Sequence, residues 1–128
     1  MKILLADDDW LARTATVRLL EYLGHEVTSV AGGQEVLDIM KQDDVPLVWI
    51  IDWMMPGIDG LEVCRRVRRS DLGSRVYLIM LSGNHNQKDE IKGLAAGADD
   101  YIVKPCNSND LQSRLDIAES FLRDQLSQ

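Results

Sequence analysis

Short apolar runs and amphipathic stretches alternate along this chain from end to end. Five runs read as strands: Lys2–Ala6, Glu26–Val30, Leu47–Ile51, Val76–Leu81 and Asp99–Val103. Three are nearly unbroken in their hydrophobicity, the pattern of parallel strands covered on both faces. Helical spacing fills the intervals. A first helix over about Trp10–Leu23 aligns Ala12, Thr16, Leu19 and Leu23, with Gly24 as its stop. A second, about Gln34–Lys41, turns Val36, Leu37 and Met40 inward. A third, about Gly60–Arg69, buries Leu61, Cys64 and Val67. The fourth follows Asn86, an N-cap with Asp89 three residues on, and presents Ile91, Leu94 and Ala95 before ending at Gly97. The fifth starts near Asn107 and carries Leu111, Leu115, Ala118 and Leu122 at helical spacing.

Strands alternating with helices imply an α/β fold with a parallel sheet, helices on both faces and right-handed crossovers. Five such units suit the doubly wound order 2-1-3-4-5, which sets strands one and three side by side. Ligands in these folds bind beyond the carboxyl ends of the strands, where the winding reverses. The chemistry is therefore sought in the residues that follow each strand. Strand one runs into Asp7, Asp8 and Asp9; strand three, in "LVWIIDWMMPGIDG", delivers Asp52; strand four ends in Leu81-Ser82-Gly83; strand five ends in Lys104-Pro105.

Carboxylates gathered on one rim repel, and some would stay protonated at neutral pH without a cation. A hard divalent ion such as Mg²⁺ takes one or two carboxylates and leaves positions for phosphate oxygens. A lysine and a hydroxyl beside it suit a phosphoryl group, and a carboxylate can itself become an aspartyl phosphate. Taken singly, Asp9 reads better as a helix cap than as a ligand. Four polar strand ends converging on one rim are harder to assign to chance.

Composition narrows the classes. The chain has 128 residues, enough for one domain with a real core. No apolar run approaches the length of a membrane span, and the start turns acidic too soon for a secretory signal. Cys64 and Cys106 lack metal or redox spacing and suit a reduced, cytoplasmic protein. The net charge of −7 argues against a direct nucleic-acid surface on this domain.

In "ILLADDDW", "IIDWMMPGIDGLEVCRRVR", "LIMLSG" and "AGADDYIVKP" the chain resembles a response-regulator receiver domain of two-component signalling, chemotaxis-response-regulator-like, over essentially its whole length. The resemblance implies the flavodoxin-like (βα)5 fold and a set of roles. Asp52 is the phosphoacceptor; Asp7, Asp8, Asp52 and the Met54 backbone carbonyl hold Mg²⁺ (or Mn²⁺), Asp8 more directly than Asp7. Ser82 and Lys104 bind the phosphoryl oxygens, Tyr101 is the switch residue that follows Ser82, and the bond before Pro105 is cis. The donor is a sensor histidine kinase or phosphotransfer protein. The surface of helix four, strand five and helix five then changes shape to control an output domain or downstream protein, with only slow autodephosphorylation in place of enzymatic turnover.

Some positions are particular to this chain. Met54 and Asn84 flank the site, and an apolar Met54 cannot hold a water, so a long-lived phosphoryl group is expected. Asp100 and Arg114 match one salt bridge of the dimer that a DNA-binding branch of the family forms through helices four and five. Glu90 and Asp110 stand at another pair's positions but are both acidic, which opposes that dimer and membership of that branch. "RRVRRSDLGSR" reads as a solvated basic face. Trp49 is expected in the core, Trp53 by the site, and Trp10 beside the acidic loop. His25 and His85 are isolated, and Cys106 is expected as a small buried residue. Residues 119–128 read as the start of a linker helix, with a pattern like receivers ahead of diguanylate cyclases, or as a dimerising stub. Two other classes remain open: a Mg²⁺-dependent phosphatase or phosphotransferase, and a binding scaffold that has lost phosphorylation.

Overall fold

The computed structural model describes residues 1–83 and 86–126. Asn84 and His85 lie outside the described residues. Strands β1 (Lys2–Ala6), β2 (Glu26–Val30), β3 (Val48–Asp52), β4 (Tyr77–Ser82) and β5 (Asp100–Val103) alternate with helices α1 (Trp10–Tyr22), α2 (Gly33–Ile39), α3 (Gly60–Arg69), α4 (Gln87–Ala95) and α5 (Ser108–Leu126). All pairings are parallel and the order is β2-β1-β3-β4-β5, as the alternation requires. No described helix is long and apolar enough to cross a membrane.

The central strands divide their side chains between two apolar layers, because successive residues of a strand point to opposite faces. Leu4, Ala6, Trp49, Ile51, Leu78 and Met80 meet Val36 and Ile39 of α2 and Val63, Cys64 and Val67 of α3. Ile3, Leu5, Val48, Ile50, Ile79 and Leu81 meet Leu20 of α1 and Leu111, Leu115 and Ala118 of α5. Every residue of β3 is buried, since the strand is paired on both edges and covered on both faces. Each large aliphatic side chain sequestered this way contributes about 1.5–3 kcal/mol. Trp49 sits in the core and donates its indole N–H to the Pro46 carbonyl at 2.7 Å, so its polar edge is satisfied.

The face expected on α1 does turn inward, with Ala12, Thr16, Leu19 and Leu23 half-buried and Leu20 fully buried beside them. Several sequence expectations are corrected. On α3, Val63 is buried and Leu61 half-buried; on α2, Ile39 is buried and Leu37 half-buried. The largest departure is α4, where Ile91 is 59% and Leu94 42% exposed, and Ala95 is exposed as well. This helix meets the sheet through Gly93, where an added Cβ would stand 3.3 Å from the Tyr101 ring. The ring takes the space that the apolar stripe was expected to fill. Cys106 is half-buried rather than buried, and its burial pushes the thiol pKa up.

The basic stretch is not uniformly solvated either. Arg68 donates to the carbonyls of Gly97 (2.8 Å), Gly73 (2.9 Å) and Val76 (2.7 Å) and pairs with Asp99 at 2.7 Å. It ties the ends of α3 and α4 to the start of β4. At the far end of α5, Phe121 packs against Tyr77, and Gln125 donates to the Ser74 carbonyl at 3.0 Å.

Candidate functional site

Each polar residue at the rim is placed by the element before it. β1 ends at Ala6 and delivers Asp7, whose backbone N–H is held by the Val30 carbonyl at the end of β2. Asp9 then caps α1, its carboxylate accepting from the N–H groups of Leu11 (3.0 Å) and Ala12 (3.5 Å), as its sequence position suggested. β3 carries Asp52 as its last residue, in register with Leu81 of β4. The chain turns at once into α3 because Gly60 packs against the strand end. A Cβ there would lie 2.6 Å from the Asp52 carbonyl oxygen and 2.8 Å from the Trp53 Cα. The Asp59 carboxylate caps that helix by accepting from the Glu62 N–H at 3.0 Å. β4 ends at Ser82, whose carbonyl accepts from the Lys104 N–H at 2.7 Å, and the Lys104–Pro105 peptide is cis.

The fold thus gathers the strand-end residues. One carboxylate oxygen from each of Asp7, Asp8 and Asp52 lies within 4.8 Å of the others. Asp7 is wholly buried, Asp52 is 6% exposed, Ser82 is buried, and Asp8 is open to solvent. The Lys104 ammonium reaches between the two buried acids, 3.1 Å from an oxygen of each. The other Asp7 oxygen accepts from the Asp9 N–H at 3.0 Å.

Burial, chiefly, raises the Asp52 pKa from 3.8 to about 6; Asp7 adds to the rise and Lys104 opposes it. For Lys104, burial alone would lower the pKa, but the two carboxylates outweigh it and hold the ammonium above its ordinary value. One ammonium against three converging acids leaves a surplus of negative charge. That surplus, an all-oxygen donor set and one solvent-facing carboxylate fit a hard divalent cation. Both Asp7 oxygens are already engaged, one by the Asp9 N–H and the other by Lys104.

A cavity of about 390 Å³ opens beside this cluster, lined by Trp53, Met54, Ser82, Gly83 and Asp89. Met54 is 72% exposed at its mouth, whereas Trp53 is buried and meets the Tyr101 ring edge-on at 6.3 Å. Tyr101 of β5 is itself buried. Nearby, Arg114 pairs with both Asp100 and Asp110 inside one chain. Trp10 is exposed next to the acidic loop.

Sequence reasoning missed Arg13. Its guanidinium donates to the Asp7 backbone carbonyl at 2.7 Å. The only trace in the sequence is a cation one turn into the helix that follows the acids.

A family model described as response regulator receiver domain matches residues 3–116. Among curated proteins, the chain is 40% identical over 113 residues to the transcriptional regulatory protein AfsQ1 of Streptomyces coelicolor, covering 88% of this chain and 48% of that protein. It is 37% identical over 114 residues to the phosphate regulon transcriptional regulatory protein PhoB of Rhizobium meliloti, covering 89% and 50%. The chain therefore spans about half the length of the curated relatives it matches. A solved receiver domain of the sensor histidine kinase PA1611 from Pseudomonas aeruginosa superposes with a TM-score of 0.79 at 35% identity, over 89% of this chain and 93% of that one. That structure carries a magnesium ion coordinated in its active-site cleft.

Proposed function

From the premise that this chain belongs to the response-regulator receiver domain family, the phosphoacceptor modules of two-component signalling, we propose that Asp52 is its phosphoacceptor. The observation that carries this is the placement of Asp52: a nearly buried carboxylate held by Lys104 beside Asp7 and Asp8. Asp7, Asp8, Asp52 and the Met54 carbonyl would hold Mg²⁺ or Mn²⁺, Asp8 more directly than Asp7. When bound, the ion neutralises charge on the carboxylates and on the incoming phosphoryl oxygens.

The reaction is an in-line displacement. An Asp52 oxygen attacks the phosphorus of a phosphohistidine on a sensor kinase or phosphotransfer protein. The P–N bond breaks, its electron pair leaves with the imidazole, and an acyl phosphate remains on Asp52. Lys104 moves from pairing two carboxylates to pairing the phosphoryl oxygens. The Ser82 hydroxyl donates to another of those oxygens. Tyr101, in edge contact with Trp53, then biases the face of α4, β5 and α5 between its two arrangements.

The controlled partner is an output domain or a downstream protein, with residues 119–128 leading toward it. The names of AfsQ1 and PhoB favour a transcriptional output over the diguanylate-cyclase-like one. Any nucleic-acid contact then belongs to that output and not to the acidic receiver. The internal pairing of Arg114 with Asp100 and Asp110 supports the reading that the family's dimer contact is weakened here. Incubation with acetyl phosphate and Mg²⁺, followed by intact-mass measurement, is expected to add one phosphoryl group to the wild type and none to Asp52→Asn. A gain that persists in the variant refutes the assignment.

A further inference from the structure

Arg13 sits where simple electrostatics would not put it. It lies in the first turns of α1, near the positive end of the helix dipole, and a cation there also opposes a divalent ion at the acid cluster. Yet its guanidinium folds back and donates to the Asp7 carbonyl at 2.7 Å. That oxygen belongs to the peptide joining Asp7 to Asp8. A peptide unit is planar, so fixing the direction of its carbonyl also fixes the N–Cα bond from which Asp8 projects.

The other links in this loop hold Asp7 and Asp9. The Asp7 N–H goes to Val30, its carboxylate to Asp9 N–H and Lys104, and the Asp9 side chain to the start of α1. The Asp8 carboxylate is the exposed member of the trio and has no hydrogen-bond partner among the described residues. Two peptides flank Asp8: Arg13 holds the Asp7–Asp8 unit through its carbonyl, and the Asp7 carboxylate holds the Asp8–Asp9 unit through the Asp9 N–H.

We propose that Arg13 is a positioning residue for the metal site: by fixing the Asp7–Asp8 peptide it aims the Asp8 carboxylate at Asp7 and Asp52 before an ion arrives. The inference rests on the reading that this cluster holds Mg²⁺. It has a definite sign. Loss of the Arg13 charge alone would tighten binding of a cation, while loss of the hydrogen bond loosens the ligand and weakens it. Weaker binding in a donor-free variant therefore means that the second effect is the larger.

The test is calorimetric titration of the 128-residue chain with Mg²⁺ alone. Arg13→Ala is expected to weaken Mg²⁺ binding about five- to tenfold, the scale of one ordinary hydrogen bond. Arg13→Lys, which keeps a donor of similar reach, returns to within about twofold of wild type on the same scale. Arg13→Met repeats the neutral, donor-free case if the alanine variant does not fold. Equal or tighter binding in the donor-free variant, or a Lys variant as weak as it, overturns the inference and leaves the site reading standing. A wild type that binds no Mg²⁺ overturns the site reading, and the inference with it.

Discussion

Replacing Asp52 with asparagine is expected to stabilise the metal-free protein, although it removes an ion pair. The Asp52 pKa is raised from 3.8 to about 6, mainly by burial. Between those values the folded state holds the proton more tightly than the unfolded state. Stability therefore falls as pH rises through that window, and the full penalty is present above it. Asparagine imitates the protonated carboxyl and escapes the penalty. Lys104 keeps its second partner, Asp7, at 3.1 Å. Two pKa units and a fraction, at 1.36 kcal/mol each, come to about 3 kcal/mol at pH 7.5 and about 1 kcal/mol at pH 4.5. For a chain of this size the larger figure corresponds to a rise of roughly 10 °C in melting temperature. The assay is urea or thermal unfolding of wild type and Asp52→Asn in EDTA at both pH values. Excess Mg²⁺ should narrow the gap, because an ion that binds the folded wild type stabilises it by mass action. A variant no more stable than wild type at pH 7.5 in EDTA, or a gain undiminished at pH 4.5, refutes the reasoning.

Three further outcomes are expected. Gly60→Ala should cost about 3 kcal/mol or more in urea unfolding and slow phosphoryl uptake, because its Cβ would meet the backbone of Asp52 and Trp53; a wild-type midpoint would contradict the close packing. Arg68→Ala should lower stability by about 3 kcal/mol, since it strands three carbonyls and Asp99, with less than half recovered in Arg68→Lys. The phosphorylated protein should outlast minutes when no phosphatase is present, and Met54→Asn should shorten its lifetime several-fold by offering water a hydrogen-bond partner; decay of the wild type within seconds, followed by mass, would reject this role for Met54.

The sequence by itself determined the α/β alternation, the strand order and the residues at the strand ends, because each leaves a local mark. Buried parallel strands need unbroken apolar runs, and a doubly wound sheet must place its polar residues at the carboxyl edge. Cap residues such as Asp9 and Asn86 were legible for the same reason: capping acts over three residues. What depended on packing between distant segments was not. Helical spacing offered Ile91, Leu94 and Ala95 as the inner face of α4, but the Tyr101 ring, a strand away, set Gly93 against the sheet. Arg68 read as one more surface cation until the ends of α3 and α4 and the start of β4 brought three carbonyls to it. Arg13 carried no motif, and its partner is a backbone oxygen, which no side-chain pattern reveals. The sharing of Lys104 between Asp7 and Asp52, and the raised pKa that follows burial of Asp52, exist only once β1, β3 and β5 share one edge. Composition and spacing name the groups; distance and dielectric, which tertiary structure alone sets, decide what those groups do to one another.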